Sequence, residues 1–257
     1  PAWSAAMPAA APPLPATASA VDAAAVYLPS CLNRIIGNAR DARSEPTLPE
    51  ALVAVSARAG LPLWIPADVA GHCCATPWTS KGYVDAAQQM ATHTSAALRR
   101  WTDGGRLPVV IDASSCAQGL RENLALEGIE VLDSIDWVHD RLLDRLTLTR
   151  REATMAVHPT CADTRLGSTG KLAAIAGRLT EEVVIPAATR CCGMAGDRGL
   201  LHPELPAAAL AGVAEELDGR SLSACVSSNR TCELALRQVT GRPYESFVLA
   251  LERVSRP

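Results

Sequence analysis

Aromatic side chains are scarce, at 4% of 257 residues with a single Phe, so any core must be assembled from Ala, Leu, Val and Ile. Lysine is nearly absent as well: Lys81 and Lys171 stand alone, and arginine carries the positive charge. Neither sign of charge dominates, with 24 Lys+Arg against 27 Asp+Glu and a formal net charge of -3. That balance argues against a polycationic nucleic-acid binder. No uncharged apolar run approaches the ~18 residues that a membrane-spanning helix needs. What the chain does have is 48% hydrophobic and 20% charged residues, enough to bury a core.

Nine cysteines are the informative feature: Cys31, Cys73, Cys74, Cys116, Cys161, Cys191, Cys192, Cys225 and Cys232. The number is odd, and the density lies well below the ~8–10% of a small disulfide scaffold. Two pairs are adjacent in sequence, where a disulfide would strain the intervening peptide. Free thiols in a reducing, cytoplasmic setting are the expectation.

Residues 1–20 hold five Pro, nine Ala and no charge. This composition predicts a semi-rigid extended linker over residues 1–22, leading from upstream domains.

The remainder is written twice, as a first lobe over 23–150 and a second over 151–257. Leu28-Pro29-Ser30-Cys31 answers to His158-Pro159-Thr160-Cys161 at an offset of 130. Ile65-Pro66-Ala67 before Cys73-Cys74 answers to Ile185-Pro186-Ala187 before Cys191-Cys192, and Cys116 answers to Cys232 at an offset of 116. Short β-branched runs at Val26–Leu28, Leu63–Ile65, Val109–Ile111 and Glu130–Leu132 read as buried parallel strands. Met155–Val157, Val183–Ile185 and Ala224–Val226 are their second-lobe counterparts. Thr47-Leu48-Pro49-Glu50 forms a capping box that opens a helix through Ala59. Helices are also expected over Val84–Trp101, Glu204–Leu217, Asp136–Leu146 and Tyr244–Val254. The fold class is therefore α/β, as two repeated lobes with a small parallel sheet flanked by helices in each.

In such sheets ligands collect beyond the carboxyl ends of the strands, where this pattern places the cysteines. Each lobe offers one Cys, a doublet and one further Cys. Cys161, Cys191, Cys192 and Cys232 form the second-lobe set; Cys31, Cys73, Cys74 and Cys116 form the first. Four thiolates fit an iron–sulfur cluster or zinc. Zinc prefers short Cys-x2-4-Cys knuckles, whereas a doublet with distant partners suits a larger object. A cluster is favoured in both lobes, with zinc the alternative in the first. Cys225, inside a strand, reads as a core thiol. An anionic cluster needs compensation, for which Arg190, Arg198, Arg230 and Lys81 are placed, with Gly193, Gly196 and Gly199 allowing backbone N–H groups near sulfur. His158 is read as a nearby proton carrier, a ligand or a hydrogen-bonded structural residue. His72 is given no role, and His93, His139 and His202 are expected at the surface.

The run Cys191-Cys192-Gly193 with its flanking cysteines resembles the cysteine-rich CCG domain of heterodisulfide reductase subunits, glycolate oxidase iron–sulfur subunits and anaerobic glycerol-3-phosphate dehydrogenase. More specifically, residues 191–205, Ser227-Ser228-Asn229-Arg230-Thr231-Cys232-Glu233 and Cys74-Ala75-Thr76-Pro77-Trp78-Thr79-Ser80-Lys81-Gly82 resemble the C-terminal part of FAD- and iron–sulfur-containing D-lactate dehydrogenases. The resemblance covers about residues 25–255. It implies a 4Fe-4S-type electron-transfer module that takes electrons from FAD, through upstream FAD and ferredoxin-like domains of the same polypeptide, toward a quinone or cytochrome. It also implies a cytoplasmic location, peripheral at the inner face of the membrane, and no nucleic-acid partner. The chain itself has no Gly-x-Gly-x-x-Gly fingerprint and no Cys-x2-Cys-x2-Cys-x3-Cys-Pro run, so neither FAD nor a ferredoxin-type cubane is expected within it. It departs from the general CCG pattern at three places: Ala113 and Asn229 stand where a further cysteine often occurs, and Ala75 stands where glycine follows the doublet. A zinc-stapled docking module and a thiol–disulfide site of the heterodisulfide-reductase kind are the competing readings.

Overall fold

The computed structural model describes residues 7–39 and 45–257. Eight strands form two separate four-stranded sheets, both entirely parallel. The first has the order β2-β1-β3-β4, from β1 (Ala25–Leu28), β2 (Leu63–Trp64), β3 (Val109–Ile111) and β4 (Val131–Asp133). The second repeats it as β6-β5-β7-β8, from β5 (Glu152–His158), β6 (Thr180–Val184), β7 (Ala224–Ser227) and β8 (Glu245–Ser246). In each sheet the chain runs outward one way from the first strand and the other way from the third. A topological switch point therefore lies between β1 and β3, and again between β5 and β7.

The pleat divides each strand between two cores. Ala25 and Tyr27 of β1, Val110 of β3, Met155 and Val157 of β5, and Ala224 and Val226 of β7 all enter one cluster shared by the lobes. Between the sheets lie α2 (Leu48–Arg58) and α12 (Phe247–Ser255), packed against each other. The opposite faces are private. Val26, Leu28, Val109 and Ile111 pack under α4 (Val84–Trp101) and α5 (Ser114–Asn123). Ala156 and Cys225 pack under α10 (Glu204–Leu217) and α11 (Arg230–Thr240).

Apolar burial, not charge, joins the lobes. Each large side chain removed from water contributes about 1.5–3 kcal/mol, and Tyr27, Leu52, Leu142, Met155 and Phe247 in the shared core are all below 2% exposed. The half-exposed Lys81–Asp197 bridge (2.8 Å) between the lobes contributes about 0–1 kcal/mol. Lys171 on α8 (Thr169–Leu179) adds a second ionic tie, to Asp136 at 2.7 Å and Asp140 at 2.6 Å.

The Thr47 capping box forms as expected, with Pro49 in the first turn. Two expected helices differ. Asp136–Leu146 is broken into α6 (Ser134–Trp137), a π turn over Val138–Leu142 and a 3-10 turn over Leu143–Arg145. Trp137, Val138, Leu142, Leu143 and Leu146 are all buried in the shared core, and one α-helical face cannot present that spacing. The Trp137 indole N–H also donates to Ser56 at 3.0 Å. At the other end, Tyr244–Val254 yields its start to β8, which pairs with β7 before Ser246 caps α12. Of the expected linker, residues 1–6 lie outside the described residues. The chain following them is attached to the first lobe: Ala10 bridges Ile36, and the Gly37 N–H donates to the Ala9 carbonyl at 2.9 Å. A side chain at Gly37 would meet the Ala10 carbonyl oxygen at 2.8 Å.

Asp133, fully buried at the end of β4, caps α6 by accepting from the Ile135 N–H at 2.8 Å. Burial, and then the charge of Asp163 from the second lobe, push its carboxyl up to about 7. This folded value lies above the ~3.9 of an unfolded Asp, so the folded state holds the proton more tightly. The stability gained from that proton is full below about pH 4 and is lost as pH rises toward 7. Asp133→Asn keeps a capping oxygen and removes the titration. Denaturant unfolding should then show a flatter stability profile between pH 4 and 7, with a gain on the order of 1 kcal/mol at pH 8.

Candidate metal centres

All eight repeated cysteines stand just beyond strand carboxyl ends. Cys31 is the first residue of α1 (Cys31–Ile35), after β1, and Cys161 is the first of α7 (Cys161–Leu166), after β5. Ser30 caps α1 by accepting from the Asn33 N–H, and Thr160 caps α7 from Asp163, which sets both cysteines at helix N-termini. The doublets follow β2 and β6, and Cys116 and Cys232 lie in the first turns of α5 and α11.

In each lobe the doublet links the two lone cysteines. Cys31 contacts Cys73, which neighbours Cys74, which contacts Cys116. In the second lobe Cys161 contacts Cys191, which neighbours Cys192, and the Cys192 thiol donates to the Cys232 sulfur at 2.8 Å. Residues 85 apart in the first lobe and 71 apart in the second thus belong to single sulfur chains. Among the described residues, no group of three or more Cys, His, Asp or Glu surrounds a point as a single-ion site.

Crowding and burial favour the protonated thiols of Cys31, Cys73, Cys74, Cys161, Cys191 and Cys192. Its hydrogen bond to Cys73, and then burial, raise the Cys31 thiol far above its usual range, against the pull of the Arg34 guanidinium. Cys74 is pushed up to about 12, chiefly by its hydrogen bond to Cys116. Its bond to Cys192, followed by burial, raises Cys191, and burial with the adjoining Cys191 raises Cys161. Such a set can ionise together only if cations replace the protons, which is the linkage between metal binding and proton release. The donor set therefore suits a thiolate-bound metal group.

The backbone after each doublet is turned in the same way. Gly193 has φ +76° and its N–H donates to Cys191 Sγ at 3.4 Å. Ala75 holds φ +65° at the equivalent place, and its N–H serves Cys73. Glycine is further required at 193, where a Cβ would lie 2.7 Å from the Leu205 carbonyl oxygen and 2.8 Å from Pro206.

The two sites differ in exposure. Cys31 and Cys73 are partly buried in a small cleft walled by Arg34 and His72 and floored by Leu28 and Ile111, whereas Cys161 and Cys191 are exposed. Arg34 was not anticipated. It follows Cys31 by three residues on α1 and donates to the Val69 carbonyl at 3.0 Å and the His72 carbonyl at 2.6 Å, holding the loop ahead of Cys73. His72 is also more involved than expected: it is buried, its ring stacks on exposed His93 at 4.3 Å, and it meets Trp101 edge-on at 4.7 Å.

The arginines expected at the second site divide. Arg198 is exposed at the start of α9 (Arg198–Leu201), after the doublet. Arg230 is buried at the lobe junction, paired with Glu233 at 3.0 Å and donating to the Gly37 carbonyl of the first lobe. Arg190 donates to the neighbouring Ala187 and Thr189 carbonyls. Lys81 is taken by Asp197. Asn229, at the position of an absent cysteine, donates its amide to Ser115 of the first lobe at 3.1 Å, and Ala113, at the other, is buried. Cys225 is buried in β7 among Leu210, Val213 and Ala235, apart from the sulfur chain. His158 is buried without a hydrogen bond to either ring nitrogen, which departs from the hydrogen-bonded structural reading. His139 and His202 pair with Asp140 and Glu204 near the surface.

Helix α1 packs on α11 and α5 on α7, so the helices that carry the lone cysteines of one lobe meet those of the other. The fold and the thiols together define a duplicated cysteine-rich α/β module. The cysteine-rich domain family CCG matches twice, over residues 25–121 and 155–237, and the chain belongs to that family. The family is linked to iron–sulfur redox proteins and oxidoreductase systems. No curated protein matches the chain. Among solved structures, the chain is similar to the crystal structure of PH1733, an aspartate racemase homologue from Pyrococcus horikoshii OT3, at 10% identity, over 90% of this chain and 96% of that one. The TM-score of 0.32 is too low for that likeness to carry an argument. No helix among the described residues is long and apolar enough to cross a membrane.

The shared left-handed turn makes opposite substitutions diagnostic. Gly193→Ala should lower the melting temperature, corresponding to about 1–3 kcal/mol, because strain and a backbone clash coincide. Ala75→Gly should leave it unchanged or slightly raised, since relief of strain offsets the added freedom of the unfolded chain. Thermal unfolding followed by circular dichroism measures both.

Proposed function

We propose that the chain is an electron-transfer module that holds one iron–sulfur centre in each lobe. Cys161, Cys191, Cys192 and Cys232 hold the second-lobe centre, and Cys31, Cys73, Cys74 and Cys116 hold the first. The observation that carries the reading is the doublet linking two distant cysteines in both lobes, an arrangement suited to a group with several metal atoms. When bound, such a group accepts and releases single electrons.

The chain's own residues prepare the site. Helix N-termini and the N–H groups of Gly193 and Ala75 offset thiolate charge, and Arg34 adds a cation at the first site. The enclosing helices restrict water around the buried Cys74, Cys116, Cys192 and Cys232. The packing of the cysteine-bearing helices across the lobe junction favours passage of electrons between the sites.

The motif run around Cys191 supports a finer context: a D-2-hydroxy-acid (D-lactate) dehydrogenase in which upstream FAD and ferredoxin-like domains feed this module and a quinone or cytochrome drains it. A cytoplasmic setting, peripheral to the membrane, belongs to the same reading. Zinc in the first lobe is its nearest competitor.

Protein purified or reconstituted without oxygen should be brown and contain iron and sulfide in near-equal amounts. Cys116→Ser and Cys232→Ser should each remove about half of the iron and one EPR signal, while Cys225→Ser leaves both intact. A colourless preparation free of iron, or one loaded with zinc alone, would overturn the reading.

A further inference from the structure

The two sulfur sites share a frame but not a floor. In the first lobe, Leu28 and Ile111 end the two central strands and line the cleft beneath the cysteines. These two residues pair in register, as do His158 and Ser227 in the second sheet. The repeat makes His158 the counterpart of Leu28, and Ser227 that of Ile111. A polar pair therefore occupies the place of an apolar one beneath the second site.

Alternation along β5 fixes the direction of His158. Met155 and Val157 enter the core shared by the lobes, whereas Ala156 faces the private core that contains Cys192 and Cys232. His158 is two residues beyond Ala156 and so lies on the same side as those sulfurs. It has no exposed surface, and neither ring nitrogen has a hydrogen-bond partner. Ser227 gives no relief, because its hydroxyl donates to the His158 carbonyl at 2.9 Å and not to the ring. Burial alone pushes the imidazole down to about 4, so the ring is neutral at physiological pH and carries one N–H. Leucine would fill this space without leaving two polar atoms unsatisfied, as Leu28 does in the other lobe.

We infer that His158 supplies a nitrogen donor to the group held by Cys161, Cys191, Cys192 and Cys232, and that this donor raises the potential of the second-lobe centre. A donor on the side of the sulfurs favours the reduced, more negative state, and Leu28 at the equivalent place in the first lobe offers none. The inference rests on the iron–sulfur reading given above.

The test is an EPR-monitored redox titration of the anaerobically reconstituted chain, with pulsed EPR for nitrogen coupling. It compares the parent, His158→Leu and His158→Gln, each first assayed for iron and sulfide. The signal lost in Cys232→Ser assigns the second-lobe centre. That centre should show a histidine nitrogen coupling. His158→Leu should abolish the coupling and lower the potential of that centre, while the first-lobe signal stays fixed. His158→Gln should lose the imidazole coupling but retain part of the elevated potential through its amide N–H. Absence of iron from the parent removes both the functional reading and this inference. Full iron loading with no histidine coupling, or with potentials unmoved in the variants, overturns the inference alone and leaves His158 as core filling. Should His158→Leu fail to fold, the parent's coupling and the His158→Gln titration decide by the same criteria.

Discussion

Four sulfurs from three separate loops can meet because three parallel strands end at one edge of a sheet. In each lobe the switch point between the two central strands opens the space, and the loop after each strand delivers its cysteine there. The geometry comes from backbone pairing that no cysteine takes part in, apart from Cys225, whose side chain faces away into the core. Once the strands are in place, the thiols are too close to shed their protons together, and the site is predisposed to cations.

Duplication does more than double the sites. The apolar faces of both sheets share one core through α2 and α12, which brings the cysteine-bearing helices into reciprocal contact. The polar bonds across that junction, from Arg230 to Gly37 and from Asn229 to Ser115, determine alignment more than strength. The cation beside the first cysteine has moved by one place: Arg34 walls the first cleft, whereas in the second lobe its counterpart is Thr164 and the neighbouring Arg165 acts on Cys161.

Much of this was legible from residue order alone. Doublets at matching offsets exposed the repeat, β-branched runs marked seven of the eight strands, and Thr47-Leu48-Pro49-Glu50 marked the entry to α2. The eighth strand, Glu245–Ser246, was hidden because two polar residues carry no apolar pattern; pairing with β7 makes them a strand. The break after Trp137 was hidden for the opposite reason, since its buried residues resemble a helical stripe until the shared core demands a different face. At the site, the eight ligand candidates were readable as a pattern, but Arg34 and His72 were not. Nothing in their spacing separates them from the many arginines and the few histidines at the surface.

Sequence by itself determined that there are two copies of an α/β unit and where most of their strands and cysteines fall. Those properties are local: they depend on hydrophobic period, capping and backbone sterics within a few residues. Tertiary structure alone decided that the sulfurs form continuous chains, that the cysteine-bearing helices of the two lobes pack together, and that His158 is buried without a partner where Leu28 lies in the other lobe. These depend on which distant groups share a volume, and that is settled only when both sheets pack on their common core.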